Sequence, residues 1–303
     1  MNRFKQYIPP SILLLTVFVL LALSGVLTAT PDGISELFFT HMILQIVIFI
    51  LPALFYCKIR HRKVTHETYS FAVLPAHPVF LLALFGVIVL GSMLINLGVT
   101  AAFAFAEEFG TEASVTLTGI TDATEAIYVV FSFCILPAIT EEFFFRGVLM
   151  SEYADQNPTA AVLLSTLAFA ASHFELTQMP AYLFSGLLLA FAVRVTHSLI
   201  PAILLHCAVN LFNVFLLPYL WQLTLAPLGV LFTVFILVGL ILVFALVALR
   251  ETEQIYTDYA SDPRREKDSF GKPGSLVTTL FHGLLSPPFA ASLVLALILA
   301  LAG

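Results

Sequence analysis

Three ionisable residues, Glu141, Glu142 and Arg146, stand close together inside a long apolar stretch of the sequence. An ionisable side chain at membrane depth costs about 3 kcal/mol on insertion scales, so three of them together require a reason. On a helix, Glu142 and Arg146 form an i,i+4 pair on one face, while Glu141 points about 100° away from that pair. The spacing therefore predicts that Arg146 holds Glu142 and that Glu141 is left for chemistry.

Two later apolar segments also carry polar residues at helical spacing. Phe169 and His173 are four residues apart on one, and His206, Asn210 and Asn213 follow an i, i+4, i+7 pattern on the other. A polar stripe that faced lipid would be costly, so these side chains are expected to face other helices. The three segments could bring a carboxylate, two imidazoles and a carboxamide to one buried place.

Such a set of groups suits the hydrolysis of an amide bond. A carboxylate or an imidazole can take a proton from water. A second imidazole and a carboxamide can donate hydrogen bonds to the oxyanion that develops on the substrate. Two other kinds of site use the same residue types: two histidines and a glutamate could bind zinc, and buried Glu, Arg and His could form a proton relay in a transporter. The sequence contains no HExxH pattern and no paired halves.

The composition excludes a water-soluble domain. Apolar residues make up 60% of the 303 residues, charged residues make up 11%, and the mean hydropathy is +1.00. These values are typical of a polytopic membrane protein in contact with the lipid bilayer. Because basic residues are few and form no stripe, nucleic acid is not expected as a partner.

Apolar runs long enough, or nearly long enough, to cross a bilayer predict an all-α helical bundle of about eight to nine transmembrane helices. The chain 1–303 is interpreted as one integral membrane domain, with catalytic core helices at 125–215 and a cytoplasmic loop at 251–283. The runs lie at about 10–28, 37–57, 78–105, 125–150, 158–175, 179–195, 199–217, 222–249 and 285–302.

Basic residues fall in alternate loops between these runs, and the loops on the other side hold acidic residues without Lys or Arg. By the positive-inside rule, this pattern predicts a cytoplasmic N-terminus. A bacterial plasma membrane is the expected location. The sorted basic residues are Arg3, Lys5, Lys58, Arg60, Arg62, Lys63, Arg194, Arg250, Arg264, Arg265, Lys267 and Lys272.

The polar residues also carry a family resemblance. Glu141-Glu142-x-x-x-Arg146, Phe169-x-x-x-His173 and His206-x-x-x-Asn210 resemble, in that order, the three motifs of the CAAX prenyl protease type II and bacteriocin-processing family, also called the CPBP or Abi family of intramembrane proteases. The likeness covers about residues 125–215. It implies an all-helical membrane fold and a glutamate-type endopeptidase that needs no metal and no other cofactor.

The resemblance also implies a role for each motif residue. Glu141, together with His173, would activate water, and His206 with Asn210 would form the oxyanion site. The remaining motif residues, Glu142, Arg146 and Phe169, would be structural at the site. The implied substrate is a membrane-associated peptide or protein. The alternatives are a zinc-dependent membrane protease and a non-proteolytic membrane scaffold or bacteriocin-immunity factor.

Overall fold

The computed structural model describes residues 9–27, 34–60, 77–104, 123–223, 227–261 and 273–302. Every regular element within these ranges is a helix, which confirms the all-α class predicted from the composition. Most of the loops whose charges predict the membrane orientation lie outside the described residues, so the cytoplasmic N-terminus stays a prediction.

Eleven helices follow one another in the described residues. They are α1 (Pro10–Leu27), α2 (residues 34–60), α3 (Pro78–Ala104), α4 (Ala123–Ala154), α5 (Pro158–Ala171), α6 (Met179–Thr196), α7 (Leu199–Phe215), α8 (Leu217–Leu223), α9 (Pro227–Ser261), α10 (Pro273–Leu284) and α11 (Pro287–Ala302).

Five of these helices, α2, α3, α4, α6 and α9, are long and apolar enough to cross a membrane. The bent pair α10 and α11, which turns by 63°, would make a sixth span. Three shorter apolar helices correspond to α1, α5 and α7. Each of the nine predicted runs therefore contains an apolar helix within the described residues, and the chain is a polytopic helical bundle. The predicted number of crossings, eight to nine, stays a prediction.

The segment 251–283 is not a continuous loop, and that interpretation is wrong for most of its length. Helix α9 continues to Ser261, and α10 starts at Pro273. The sequence from 251 to 261 is polar but has no glycine or proline to end the helix. Two threonine hydroxyls, of Thr252 and Thr257, also bond to carbonyls one turn earlier on α9. Polarity alone therefore did not mark a helix end.

The run predicted at 158–175 gives a shorter helix, since α5 ends at Ala171. The Ser172 hydroxyl donates to the carbonyl of Phe169, and Phe174 has a left-handed backbone with φ of 53°. His173 consequently lies in a turn after the helix and not on its last face. The Phe174 ring meets the edge of Phe18 from α1, with ring centroids 5.8 Å apart.

Helix α4 carries the two adjacent glutamates and alternates between two kinds of helical turn. It is π-helical over Val130–Ile135 and again over Phe143–Met150, and it is α-helical over Leu136–Glu142 between them. A proline inside an α-helix lacks an N–H donor and crowds the carbonyl four residues earlier. The wider turns directly before Pro137 relieve that crowding, and π-helical turns are frequent at functional sites.

The far end of α4 is fastened to α2 by a second group of polar residues, here called the Glu152 junction. Glu152 Oε2 accepts a hydrogen bond of 3.0 Å from the Tyr56 hydroxyl. The same oxygen lies 3.3 Å from Nη2 of Arg60. Since Tyr56 and Arg60 belong to α2, this junction fixes the position of α2 beside α4.

Candidate active site

The Glu142 carboxylate binds two partners through a single oxygen. Oε1 accepts from Arg146 Nη1 at 2.7 Å and from His206 Nδ1 at 2.9 Å. The pair between Glu142 and Arg146 that the i,i+4 spacing predicts is therefore present, and both side chains are fully buried. The contact with His206 was not predicted. It joins α4 to α7 and leaves Nε2 as the imidazole nitrogen that can face a substrate.

Arg146 is held at three points. Besides Glu142, its Nη2 donates a 2.9 Å hydrogen bond to the carbonyl of Gly186 on α6. Its guanidinium carbon lies 4.4 Å from the centre of the Phe169 ring, a cation–π contact. A Cβ at Gly186 would stand 2.9 Å from the Phe169 ring, closer than real Cβ atoms approach. The glycine therefore allows α6 to come close enough to satisfy Arg146.

The Phe169 ring separates the two histidines. Its centroid is 4.9 Å from that of His173 and 5.6 Å from that of His206, and both contacts are edge-to-face. Edge-to-face pairs at such distances are favourable aromatic contacts. Phe169 thus packs between the candidate catalytic residues, and both imidazoles lie against the same ring.

His173 is fixed by its own backbone and by a neighbouring ring. Its Nδ1 lies 2.9 Å from the carbonyl of Phe169, which can only accept, so Nδ1 carries the proton and Nε2 is left with its lone pair. The imidazole stacks on the Tyr182 ring of α6 at 3.9 Å and 19°. The Tyr182 hydroxyl is 3.5 Å from a carboxylate oxygen of Glu175.

Glu141 differs from Glu142 in forming no ion pair among the described residues. The residue is buried, with 9% of its surface exposed, and its Oε2 has no hydrogen-bond partner among the described residues. The carboxylate interacts electrostatically with His206, Glu142 and Arg146 and with the side chain of Gln45 from α2. Glu141 therefore lies beside the group formed by Glu142, Arg146 and His206, and its Oε2 remains available.

The last predicted site residue, Asn210, is half-buried on α7 one turn after His206. Asn213, three residues further, is exposed. The polar stripe expected along α7 therefore begins inside the bundle at His206 and leaves it by Asn213.

Two histidines and a glutamate are also the residue types of a zinc site, the alternative given by the sequence. Within the part of the chain that the structure describes, no group of three or more His, Cys, Asp or Glu side chains is arranged to hold a metal ion. The Glu142 oxygen closest to His206 already accepts from Arg146.

Three residues at the site were not singled out for it by sequence reasoning. Gln45 carries the same signal as the glutamates, a polar side chain within an apolar run, but lies about a hundred residues earlier. Tyr182 and Gly186 are unremarkable in an apolar helix, and only their contacts with His173 and Arg146 mark them.

The comparison with protein families agrees with this geometry. The family model described as Type II CAAX prenyl endopeptidase Rce1-like matches residues 123–212, from the first residue of α4 into α7. Residues 123–212 are similar to that family and are here called the Rce1-like segment. The Rce1-like segment contains all seven predicted site residues, and the resemblance inferred from the three motifs is confirmed over it. The match indicates a membrane protease, a hydrolase of the CAAX endopeptidase type.

No curated protein and no solved structure matches the chain. Two of the contacting residues described above, Gln45 on α2 and Phe18 on α1, precede the Rce1-like segment.

Proposed function

We propose that the protein is an intramembrane endopeptidase that hydrolyses a peptide bond of a membrane-associated peptide or protein, with Glu141 as the base that activates water. The observation that carries this proposal is the contrast between the two adjacent glutamates. Glu142 is bound by Arg146 and His206 through Oε1, whereas Glu141 forms no ion pair among the described residues and its Oε2 is buried without a hydrogen-bond partner there. A buried polar atom without a partner is costly and calls for a functional reason.

The proposed reaction begins when Glu141, aided by Nε2 of His173, removes one proton from a water molecule. The water oxygen attacks the carbonyl carbon of the scissile bond, and the carbonyl oxygen becomes an oxyanion. The protonated ring of His206, which donates from Nδ1 to Glu142 and from Nε2 to the oxyanion, and the Asn210 carboxamide stabilise that oxyanion, a contribution that typically amounts to a few kcal/mol for each donor. The proton then passes to the leaving nitrogen as the carbon–nitrogen bond breaks.

The remaining groups keep this arrangement fixed. His206 donates from Nδ1 to Glu142, so the imidazole plane is set by a buried carboxylate. His173 is set by the Phe169 carbonyl and by stacking on Tyr182. Catalytic groups held in this way need no reorganisation when charge develops on the substrate.

The test uses the purified full chain in lipid nanodiscs and two fluorescence-quenched peptides. One ends in a farnesylated CAAX sequence, the substrate type that the family description names, and the other is the same peptide without the farnesyl group. We expect cleavage by the wild type and a loss of about 10²- to 10⁴-fold in kcat for Glu141→Gln, the usual contribution of a general base. Glu253→Gln, an exposed carboxylate on α9, is the matched control and should cleave normally.

Three results would contradict the proposal. Normal cleavage by a well-folded Glu141→Gln protein would remove Glu141 as the base. Loss of cleavage on treatment with a metal chelator, restored by zinc, would favour the zinc-dependent alternative. A protein that cleaves no membrane peptide, yet keeps its cellular effect as Glu141→Gln, would be the non-proteolytic scaffold.

A further inference from the structure

Gln45 is a buried polar residue of α2, and it lies next to the candidate base although it precedes the Rce1-like segment. Only 8% of its surface is exposed. Its Oε1 accepts a hydrogen bond of 2.7 Å from the hydroxyl of Thr140, the residue directly before Glu141 on α4. A buried carboxamide is costly unless it is hydrogen-bonded, so this contact fixes which end of the amide faces which neighbour.

This hydrogen bond leaves the amide nitrogen of Gln45 for other neighbours. Because Oε1 is occupied by Thr140, the two N–H donors of Gln45 point to the other side. On that side the Gln45 side chain interacts with the Glu141 carboxylate, and its nitrogen lies 3.5 Å from Nε2 of His41. His41 in turn stacks on Phe133 of α4, which holds this part of α2 against α4.

A single donor on one oxygen leaves the second oxygen of a carboxylate free. In Glu141, Oε2 has no partner among the described residues. The other charged or titratable groups that interact with Glu141 are Glu142, Arg146, His206 and Tyr182, and each of them belongs to α4, α6 or α7. Gln45 is the neighbour that approaches from α2 with a neutral donor.

We propose that Gln45 and Thr140 form a positioning pair for Glu141: the Thr140 hydroxyl orients the Gln45 carboxamide, and the carboxamide holds one oxygen of Glu141 so that the other faces the reacting water. The inference rests on the proposed function of Glu141 as the base. Neither residue touches the substrate, so both act through the carboxylate.

The first test measures cleavage of the farnesylated peptide by Gln45→Leu, by Thr140→Val and by the double variant. Each single change should lower kcat by roughly 10- to 100-fold, the effect of a misplaced catalytic group, and leave KM nearly unchanged. The double variant should be no slower than Gln45→Leu, because both residues act on the same oxygen. Thr140→Ser, which keeps the hydroxyl, should retain wild-type kcat.

Thr166→Val is the matched control for Thr140→Val. Thr166 is a buried helical threonine of α5 whose hydroxyl has no hydrogen-bond partner within the described residues, so the chemical change is identical but no positioning contact is lost. This variant should cleave like the wild type. Equal losses of kcat in Thr166→Val and Thr140→Val would overturn the proposal.

The second test does not depend on cleavage. Dicyclohexylcarbodiimide reacts with protonated carboxyl groups in apolar surroundings, and mass spectrometry reports the extent of reaction at Glu141 as a function of pH. Removing the N–H donor destabilises the carboxylate, so labelling of Glu141 should extend to higher pH in Gln45→Leu and Thr140→Val than in the wild type, Thr140→Ser and Thr166→Val. An unchanged labelling profile in a folded Gln45→Leu protein would overturn the positioning role. A wild type that cleaves nothing but shows the expected labelling shifts would refute the proposed function alone.

Discussion

Helix α4 takes part in two glutamate–arginine pairs whose surroundings differ. In the site, both Glu142 and Arg146 have fully buried side chains. In the Glu152 junction, the Glu152 side chain is 2% exposed, but 24% of the Arg60 side chain reaches the surface. The same two residue types thus form a fully buried ion pair in the site and a partly solvated ion pair in the Glu152 junction.

The difference shows where charge must be balanced by the protein itself. The exposed part of Arg60 can keep water or headgroup contacts, so the Glu152 junction does not depend on one partner. The site has two neighbouring carboxylates, Glu141 and Glu142, and one guanidinium, Arg146, and none of them has such an outlet. The charge in the site must consequently be balanced by these side chains and their buried neighbours.

The largest effect is expected from Glu142→Gln, which keeps the shape of the side chain and removes its charge. It leaves Arg146 buried without its directly bonded counter-charge, and breaking a buried pair in this way costs about 3–5 kcal/mol. We expect a strong fall in folded yield and in the unfolding temperature, measured by size-exclusion chromatography and thermal unfolding in detergent. A fully stable Glu142→Gln protein would mean that Arg146 does not need this carboxylate.

A smaller effect is expected where α6 approaches the site. Gly186→Ala places a methyl group against the Phe169 ring and beside the Arg146 guanidinium. Overpacking of this kind costs about 1–3 kcal/mol. The control is Gly98→Ala on α3, an exposed helical glycine with open space around it, where alanine should stabilise the protein by about 0.5–1 kcal/mol. Thermal unfolding should therefore shift in opposite directions, and equal shifts would contradict the close approach at Gly186.

The smallest effect is expected from Glu152→Gln, the matched change in the Glu152 junction. Arg60 is partly exposed and can turn to water, and the amide can still accept from the Tyr56 hydroxyl. An ion pair with one partner at the surface should contribute less than the roughly 3–5 kcal/mol lost when a fully buried pair is broken. Thermal unfolding and cleavage should therefore both remain near wild type. If Glu152→Gln destabilised the protein as much as Glu142→Gln, the distinction between the two pairs would fail.

The sequence predicted the helical bundle and the pairing of Glu142 with Arg146 because both depend on local patterns. Apolar runs place the helices, and i,i+4 spacing places side chains on one face. The exact ends of α5 and α9 depended on single interactions instead. A serine hydroxyl and a left-handed phenylalanine end α5 before His173, and no glycine or proline ends α9 at the polar residue Glu251.

The contacts that complete the candidate site could not be read from spacing, since they join distant parts of the chain. The bond between His206 and Glu142 spans 64 positions, and that between Thr140 and Gln45 spans 95. No single-helix pattern reports such distances. A polar residue in an apolar run indicates that a partner exists but does not identify that partner, and this was the case for Gln45.

The contact between Phe18 and Phe174 affects whether the candidate site could be transferred to another protein. Phe174 follows His173 in the turn after α5, and its left-handed backbone is uncommon for a bulky residue, so the turn relies on the packing around it. Part of that packing comes from α1, which precedes all three motifs in the sequence. A graft of residues 123–212 alone onto another helical scaffold would carry over every motif residue. It would lack the Phe18 ring that packs against Phe174 in the turn after α5. The part of the protein that builds the site is therefore larger than the segment that the family comparison matches.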